Sequence, residues 1–550
     1  MLAPFTTIDK LNQLVGQMDT ERQSFISHYA ELQQFIAPRR GRFFQQDVNK
    51  GGKRHQAIIN SVGTQALRAA TSGMLQGTMS PSRPWFMIES FNPDLMESQR
   101  VREWFYKTEI IIRTILNESN FYNMAPVFLK ELLLFSTAVM SHVDDFNDVA
   151  RFYTHTAGSY YLGQNERLVI DTLVRKFDWP VIQIVKKFGI GNVSTIVKNA
   201  YDHGNYTSLY PITHFIAPNE DFQASSPFSI NRKFVSIYYE HNNTGADKDK
   251  FLSTGGFKRF PAYVTRWDIT EGDVYGVDCP GMTSLGDVKG LQIEEKMKAQ
   301  AIQMMVKPPL SGPPAVKNVA VSGLPGSLTV YDGGLEKQKL EPIYQVDPRL
   351  QELRGDMDAI ERRINSAFFV DLFFAITQTE GIQPRNELDL TQRVKESLTQ
   401  LGPVLERLHG EFLSLLIGTL FDQAADAGIL PPAPEELQGS SIRIRFISTL
   451  AMAQRAIVTQ DIERLAIFTA SLIEGGWQEV GDKFDADQAV DQYSRAIGVP
   501  PDIVVSDEDV DDIRRQRAEQ LAEQQAIEAA SSIAQTVKTA SEIGSNGQST

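Results

Sequence analysis

Little in this chain of 550 residues is built for covalent or metal chemistry. A single cysteine, Cys279, excludes an internal disulfide framework and any all-cysteine metal site, and it fits a reducing compartment. The eight histidines are scattered, with no H-E-x-x-H and no pair spaced for one helix face. His409, beside Gly410, reads as a packing or rim residue rather than a ligand. No G-x-x-x-x-G-K loop followed by Ser or Thr exists, because Gly51-Gly52-Lys53 lacks both the upstream glycine and the hydroxyl. Gly189-Ile190-Gly191 breaks off from a dinucleotide fingerprint at Ser194. Ser72-Gly73 and Ser311-Gly312 lack the G-x-S-x-G elbow. The carboxylate groups Asp144-Asp145 and Asp507-Glu508-Asp509 suit loops and helix starts better than an acid–base pair. No catalytic residue, cofactor or metal is expected. Long apolar runs are missing too. The longest, about Phe412 to Phe421, is far short of the ~18 residues that cross a bilayer. Met1 to Lys10 has no basic segment before an apolar one, so neither membrane insertion nor a secretory leader is expected, and a soluble cytoplasmic product is.

Positive charge is also scarce, with 54 Lys and Arg against 68 Asp and Glu, a net charge of −14. From Ala451 onward 18 acidic residues face 8 basic ones, so most of the excess lies there. A reader of nucleic-acid sequence carries the opposite sign. The acidic excess is either an ordinary solvated helical face or a surface kept from sticking to polyanions. Arg39-Arg40-Gly41-Arg42 and Lys50 to Arg54 could meet phosphates or an acidic protein surface, and only Phe43-Phe44 supplies aromatic rings nearby.

What the chain does have is length and helical rhythm. With 42% hydrophobic and 22% charged residues its composition is that of a globular protein, and its size implies two to four substructures. Helices are expected over Thr7 to Phe35, Gln56 to Met79, Glu97 to Leu116 and Val127 to Ser136. Trp85 to Ile88 reads as a strand; between Ala138 and Trp179 the period shifts to two, with strands at Arg151 to Thr156 and Leu173 to Trp179, and three more strand runs follow at Leu209 to Ala217, Phe234 to Tyr239 and Ala262 to Trp267. Short helices near Pro180 to Phe188 and Ser194 to Asp202 separate them, which describes an α+β domain. A rod from Leu285 to Val306 follows, roughly 33 Å long at 1.5 Å per residue. The insert 307–347 is rich in Pro and Gly, with room for small edge strands at Val319 to Val321 and Leu328 to Tyr331. A second rod opens on Asp347-Pro348, with Leu350, Leu353, Met357, Ile360, Ile364 and Ala367 on one stripe. A third runs from about Leu388 to Ala427, roughly 60 Å. Gly402-Pro403 lies inside it, where the missing amide and the ring clash predict a bend or break. Ser441 to Ser448 alternates as a strand returning to the α+β domain, and from Thr449 the pattern is helical to the end, broken at Gly475-Gly476 and Gly498 to Pro501.

Several short motifs in this order point further. Pro261, Arg266-Trp267, Gly272-Asp273-Val274-Tyr275-Gly276 and Pro280-Gly281-Met282 lead into the first rod. Phe368-Phe369-Val370-Asp371-Leu372-Phe373 closes the second. Leu401-Gly402-Pro403-Val404, Glu411-Phe412-Leu413, Gly428 to Pro432, Ser448 to Gln454, Trp477, Gly498 to Pro501 and Arg514 to Arg517 complete the series. Together they resemble the portal, or head-to-tail connector, proteins of short-tailed bacteriophages (podoviruses).

The resemblance implies a multi-domain α+β portal fold that forms a ring, usually of twelve copies, at one capsid vertex of a virion made in the host cytoplasm. It implies a wing (1–284 and 372–448), a two-helix stem (285–306 and 348–371), a small clip (307–347) and a helical crown or barrel (449–550). Within the wing it implies a tunnel loop at about 377–393, a long kinked helix at about 388–427, and the return strand 441–448. Gln383, Arg385, Asn386 and Arg393 would face double-stranded DNA in the channel. Gly402 and Pro403 would redirect the long helix across the wing. Lys317, Leu324, Pro325, Tyr331 and Lys337 would dock partners at the clip: the packaging terminase during filling, the head-tail adaptor and tail proteins afterwards. Major capsid and scaffolding proteins, and internal core proteins at the crown, complete the implied partners, with no membrane and no enzymatic activity.

A duplex with one charge per roughly 1.7 Å must slide through such a conduit without being trapped. Glu380, Glu387 and Asp389 beside Arg385 and Arg393 leave the loop little net attraction. Two alternatives remain open at this level: a DNA-packaging or processing enzyme subunit, and a coiled-coil scaffold or adaptor without a channel.

Overall fold

The computed structural model describes residues 7–44, 52–54, 56–96, 98–145, 149–223, 228–241, 243, 247–307, 310–311, 341–342, 350–378, 398–437, 441–497, 503, 505, 510–522 and 524. The chain divides into two compact units, 1–82 with 115–420, and 83–114 with 421–550.

The first unit is built on two antiparallel sheets. The smaller has strand order β3-β2-β9, with β2 (Thr137–Asp145), β3 (Val149–His155) and β9 (Ala262–Arg266). The larger is a meander, β4 (Tyr160–Gln164), β5 (Ile170–Pro180), β6 (Leu209–Pro218), β7 (Phe234–Glu240) and β8 (Phe251–Phe257), each hydrogen-bonded to its sequence neighbour. Period-two patterning gives the meander two apolar faces. One packs on the smaller sheet through Leu162, Leu173 and Ile216 against Val139 and Val264. The other is covered by α1 (Ile8–Phe35), whose Ile8, Leu11 and Val15 meet Tyr161, Val174, Phe215 and Ile237. At one end α5 (Val181–Phe188) and α6 (Thr195–Asp202) close a third cluster over Ile212 and Leu252.

A helical layer completes this unit: α2 (Val62–Thr78), α4 (Phe121–Phe135), α7 (Pro280–Val306), α8 (Leu350–Ala367) and α9 (Val370–Gln378). The buried side of α2 is made of small residues, Gly63, Ala66, Ala70, Gly73 and Gly77 among them. Other helices can therefore come very close. A Cβ at Gly63 would lie 2.9 Å from a methyl of Val288 on α7, and one at Gly73 would lie 2.2 Å from the ring of Phe373 on α9.

In the second unit β1 (Phe86–Ser90) pairs antiparallel with β12 (Ile442–Phe446), and Glu89 bridges Arg445 at 2.8 Å across the ladder. Trp85 is buried, with its ring stacked 6.5 Å from Phe446. Glu109, on α3 (Gln99–Glu118), accepts the Ile88 amide of β1 at 2.7 Å. Burial pushes its carboxyl up to about 7, an effect that the Ile88 amide and Arg113 only partly offset. Helices follow at Thr449–Glu474, capped by the Ser448 hydroxyl, at Ala486–Ile497 and at 510–522.

Most expected elements are present with shifted ends, and several points differ. Strands Thr137–Asp145, Tyr160–Gln164 and Phe251–Phe257 were not among the expected runs; Asp144-Asp145 ends the first rather than opening a loop or helix, and the last is obscured by Gly255-Gly256. Helix α4 begins at Phe121, six residues before the expected Val127, with Pro126 inside it. Helix α7 starts at Pro280, where proline suits a first helical position. The second rod ends at Ala367 rather than 371, because Phe369 takes a left-handed backbone conformation (φ 56°) and α9 restarts at Val370. The return strand joins β1 in its own two-stranded ladder, not either larger sheet. No break occurs at Gly402-Pro403: 398–407 is helical throughout, and the irregular turn comes later, as a π-helical stretch at Leu408–Leu413 before Ser414–Asp426. The insert, apart from the short pair β10 (Leu310–Ser311) and β11 (Glu341–Pro342), and the expected loop 379–393 lie outside the described residues.

Two outcomes follow. Gly73→Ala should lose about 1–3 kcal/mol through overpacking against Phe373, while Gly16→Ala, on an exposed part of α1 with open space at its Cβ, should gain about 0.5–1 kcal/mol; denaturant midpoints of both variants check this. Glu109 has its folded value raised above the ordinary 4.5, so its contribution to stability is complete below 4.5 and is lost as pH rises through about 7. The Glu109→Gln variant should show a flatter dependence of melting temperature on pH across that window.

Candidate functional site

The motifs that are scattered along the sequence meet at one junction in the first unit, where α7 and α8 leave the sheets. Ser136 ends α4 in the left-handed region (φ 62°), which turns the chain straight into β2. Its carbonyl accepts the Trp267 amide at 2.7 Å, and its hydroxyl donates to the Asp278 carbonyl at 2.6 Å. Gly276 donates its amide to the Thr137 hydroxyl at 2.8 Å, and a Cβ there would lie 2.3 Å from the Ser136 hydroxyl oxygen. The loop after β9 is thereby strapped to the start of β2, and Cys279, buried, delivers the chain to Pro280 and α7. Burial pushes the Cys279 thiol up to about 12, so it is inert as a nucleophile.

The long helix is tied to the same place. Its π-helical turn carries Glu411, which accepts from Arg266 at 3.0 Å through both the backbone amide and the guanidinium. The Arg266 side chain is 4% exposed and that of Glu411 26%, so this charge pair is largely withdrawn from water. One turn earlier, Arg407 donates to the Trp267 carbonyl and reaches Asp268 at 3.1 Å. Phe412 lies between the rings of Phe128 and Tyr263 at 4.3 and 5.7 Å. Trp267 also faces Phe369, the left-handed residue between α8 and α9, at 6.4 Å. A bulky residue in that conformation costs on the order of 1–3 kcal/mol, which the surrounding packing must supply. Beside the pair, a cavity of about 710 Å³ is lined by Leu168, Phe260, Tyr263, Arg266, Glu411 and Leu415 among others.

Below the junction α7 and α8 pack side by side. Arg363 reaches Asp287 at 2.9 Å, and that carboxylate holds the guanidinium above its usual range. Buried Gln292 on α7 acts as a latch: its Oε1 accepts the amides of Ile59 and Asn60 at 2.6 and 2.8 Å, and its Nε2 donates to the Asn60 carbonyl at 2.9 Å. Asn60 in turn donates to Glu361 on α8 at 3.0 Å, so one loop grips both rods. The outer face of α7 remains bare, with Ile293 55%, Met297 59% and Met304 42% exposed.

Of the expected site residues, only Gly402 and Pro403 are described, both within continuous helix. Gln383, Arg385, Asn386 and Arg393 lie outside the described residues, as do Lys317, Leu324, Pro325, Tyr331 and Lys337. Arg40 of the basic stretch faces Glu131 at 3.7 Å, a fully buried carboxylate that also accepts from Thr156 and Ala157, so its role is internal. His409 is buried in the π turn. Among the described residues no three His, Cys, Asp or Glu side chains gather to hold a metal, and no described helix is long and apolar enough to cross a membrane. Sequence reasoning missed Gln292, Arg407 and the Arg266–Glu411 pairing. A glutamine at a core-facing helical position was the one available signal for the first.

Comparison with known proteins bears on the whole chain. A family model described as bacteriophage head to tail connecting protein matches residues 8–504. The portal protein of Salmonella phage epsilon15 is 38% identical over 537 residues, spanning 98% of this chain and 96% of that protein. A probable portal protein of Bordetella phage BPP-1 is 37% identical over 531 residues, spanning 96% and 94%. Among solved structures, a chain from the neck of an empty gene transfer agent particle is similar with a TM-score of 0.33 and 10% identity, covering 70% of this chain and 80% of that one.

Because Arg266 is almost wholly desolvated, Glu411→Gln should cost about 3 kcal/mol by leaving a buried charge without its counter-ion, whereas Arg266→Met with Glu411→Leu should recover most of that loss. Thermal unfolding of the single and double variants distinguishes the two results.

Proposed function

The chain belongs to the bacteriophage head-to-tail connecting protein family, with a function at the portal vertex, and from that premise we propose that its copies close into a ring around a passage for double-stranded DNA. The bare outer face of α7 carries this reading. Ile293 and Met297 lie one turn apart and exposed, opposite the buried face of Leu285, Val288 and Leu291. Single exposed apolar residues need no explanation, but a stripe of them along one rod is a surface awaiting a partner. In a ring the partner is the neighbouring copy.

On this reading 285–306 and 348–371 form the stem, 307–347 the clip, 377–393 the loop that meets DNA and 449–550 the crown, with the rest forming the wing. The stem charges support a conduit. From Pro280 to Val306 three acidic residues face three lysines, and from Leu350 to Ala367 four acidic face three arginines, so the rods present almost no net charge. A polyanion passing such a wall is neither trapped nor expelled. Docking of the packaging terminase and then of tail proteins at the clip, contacts with capsid and scaffolding proteins, and residence in the virion belong to the same proposal. The molecule is assigned a structural role without catalysis. The alternatives of a packaging enzyme or a channel-free adaptor gain nothing from the comparisons.

Negative-stain images of the purified protein should show rings with a central hole. Met297→Asp, which places a charge in the proposed contact, should shift sedimentation toward monomer with unchanged circular dichroism. A wild-type protein that stays monomeric at every salt concentration would sink the proposal.

A further inference from the structure

The cavity beside the Arg266–Glu411 pair has two unlike walls. On one side stand Ala262, Tyr263 and Val264 of β9, with Ile170 and Phe234. On the other runs the long helix, which lines the cavity with Gly410, Ser414 and Gly418, one turn apart and all small. A Cβ at Gly410 would meet nothing within 4 Å, and one at Gly418 would meet only the Arg259 guanidinium at 4.0 Å. The same device on α2 is filled, since Val288 and Phe373 occupy the space left by Gly63 and Gly73. Here no apolar side chain among the described residues does so. Leu168, Val169 and Leu415 stand at the rim, 40%, 54% and 52% exposed. Leu168 is held there in the left-handed region (φ 59°), with its carbonyl accepting from Arg266 at 3.0 Å. The buried Nε of Arg266 has no hydrogen-bond partner, so the floor of the cavity keeps an unmet donor.

The lining is basic in a chain whose net charge is −14. Lys233, Lys258, Arg259 and Arg266 stand against Asp171 and Glu411, and the first three are exposed. Glu411 is taken by Arg266, and Asp171 accepts from its neighbour Thr172 at 3.0 Å. The opposite combination lies on the turn that follows β6. Glu220, Asp221 and Phe222 are all exposed there, the ring at 49%, and no basic residue occurs over 219–223. The turn is braced. The Asn219 side chain accepts the Asp221 amide at 3.1 Å and donates to the carbonyls of Ile230 and Arg232 at 2.9 and 2.8 Å, while the Gln223 amide reaches the Asn231 carbonyl at 3.0 Å. An aromatic ring held out on a braced turn loses little freedom when it docks.

We propose that the cavity is the socket for the Glu220-Asp221-Phe222 turn of a second copy of this chain. The Phe222 ring enters against the bare face of Gly410, Ser414 and Gly418, and the two carboxylates meet Lys258 and Arg259 at the rim. A volume of about 710 Å³ admits the ring together with the turn that carries it. Apolar surface meets apolar surface, and an acidic knob meets a basic rim. Knob and socket are different surfaces, so the contact is head-to-tail and repeats from copy to copy, as a closed ring requires and a two-fold dimer does not. The inference deepens the ring reading and rests on it.

The test is disulfide trapping in the full-length protein. The single native cysteine, Cys279, is buried, so Phe222→Cys and Leu415→Cys each add one accessible thiol. Both positions are exposed, and circular dichroism checks that the variants fold. The two single variants, co-expressed and mildly oxidised, should give a linked dimer on non-reducing gels that neither gives alone, and the double variant should give a ladder of multimers. In an otherwise native chain, Phe222→Ser should weaken association about tenfold in sedimentation. A linked dimer from Phe222→Cys alone, or a double variant that stays monomeric, would overturn the proposal. Negative-stain images of the same samples separate it from the reading it rests on. Rings without the cross-link remove this contact and leave the ring; a ladder without rings keeps the contact and removes the ring; absence of both removes both.

Discussion

The closeness with which helices approach α2 is the constraint on which the first unit depends. Gly63 and Gly73 leave no side chain between α2 and its neighbours, so Val288 of α7 and Phe373 of α9 fill the space a Cβ would occupy. Interiors are packed to crystal density, so an approach at that distance cannot absorb even one extra methyl without moving a helix. The rods α7 and α8 are therefore seated on a rigid surface. Gln292 and Asn60 then pin them at one height by hydrogen bonds that a sliding helix would break. A two-helix projection of this kind needs a firm root if it is to carry contacts at its far end.

The root is completed by irregular backbone rather than by regular elements. Ser136 and Phe369 adopt left-handed conformations and Leu408–Leu413 widens into a π turn, all around Trp267. The π turn carries Glu411, which accepts from Arg266 with two bonds, and the Phe412 ring lies against Phe128 and Tyr263. Such departures cost free energy and persist only where surrounding contacts over-determine them. Three of them about one tryptophan make this junction the place where strain in the rods would be felt by the sheets, and the reverse.

The second rod and the described part of the third were legible in the chain, because a three-four apolar rhythm has one physical interpretation, whereas the first was less regular. The sheet strands were legible where β-branched and aromatic residues alternate, and were missed at Tyr160–Gln164 and Phe251–Phe257, where glycines interrupt the pattern, and at Thr137–Asp145, whose first six residues are buried on both faces and do not alternate. Gly402-Pro403 was expected to bend or break the long helix; the helix runs unbroken over 398–407, with Leu401, Leu405 and Leu408 all fully buried, and a π-helical stretch follows at Leu408–Leu413. The junction was half visible. Arg266-Trp267 and Glu411-Phe412 stood out as motifs, yet nothing in either predicts that residues 145 apart form one ion pair.

By itself, then, the amino-acid sequence determined the kind of molecule: an acidic, nearly cysteine-free α+β chain without catalytic or metal motifs, with long rods flanking a Pro/Gly insert, and of the head-to-tail connecting family. These are properties of composition and local period, which neighbouring residues settle among themselves. Only the tertiary structure decided where the rods are rooted, which charges are paired, and where the long helix departs from regularity. Each of those depends on groups far apart in the chain, and close packing alone brings them within reach.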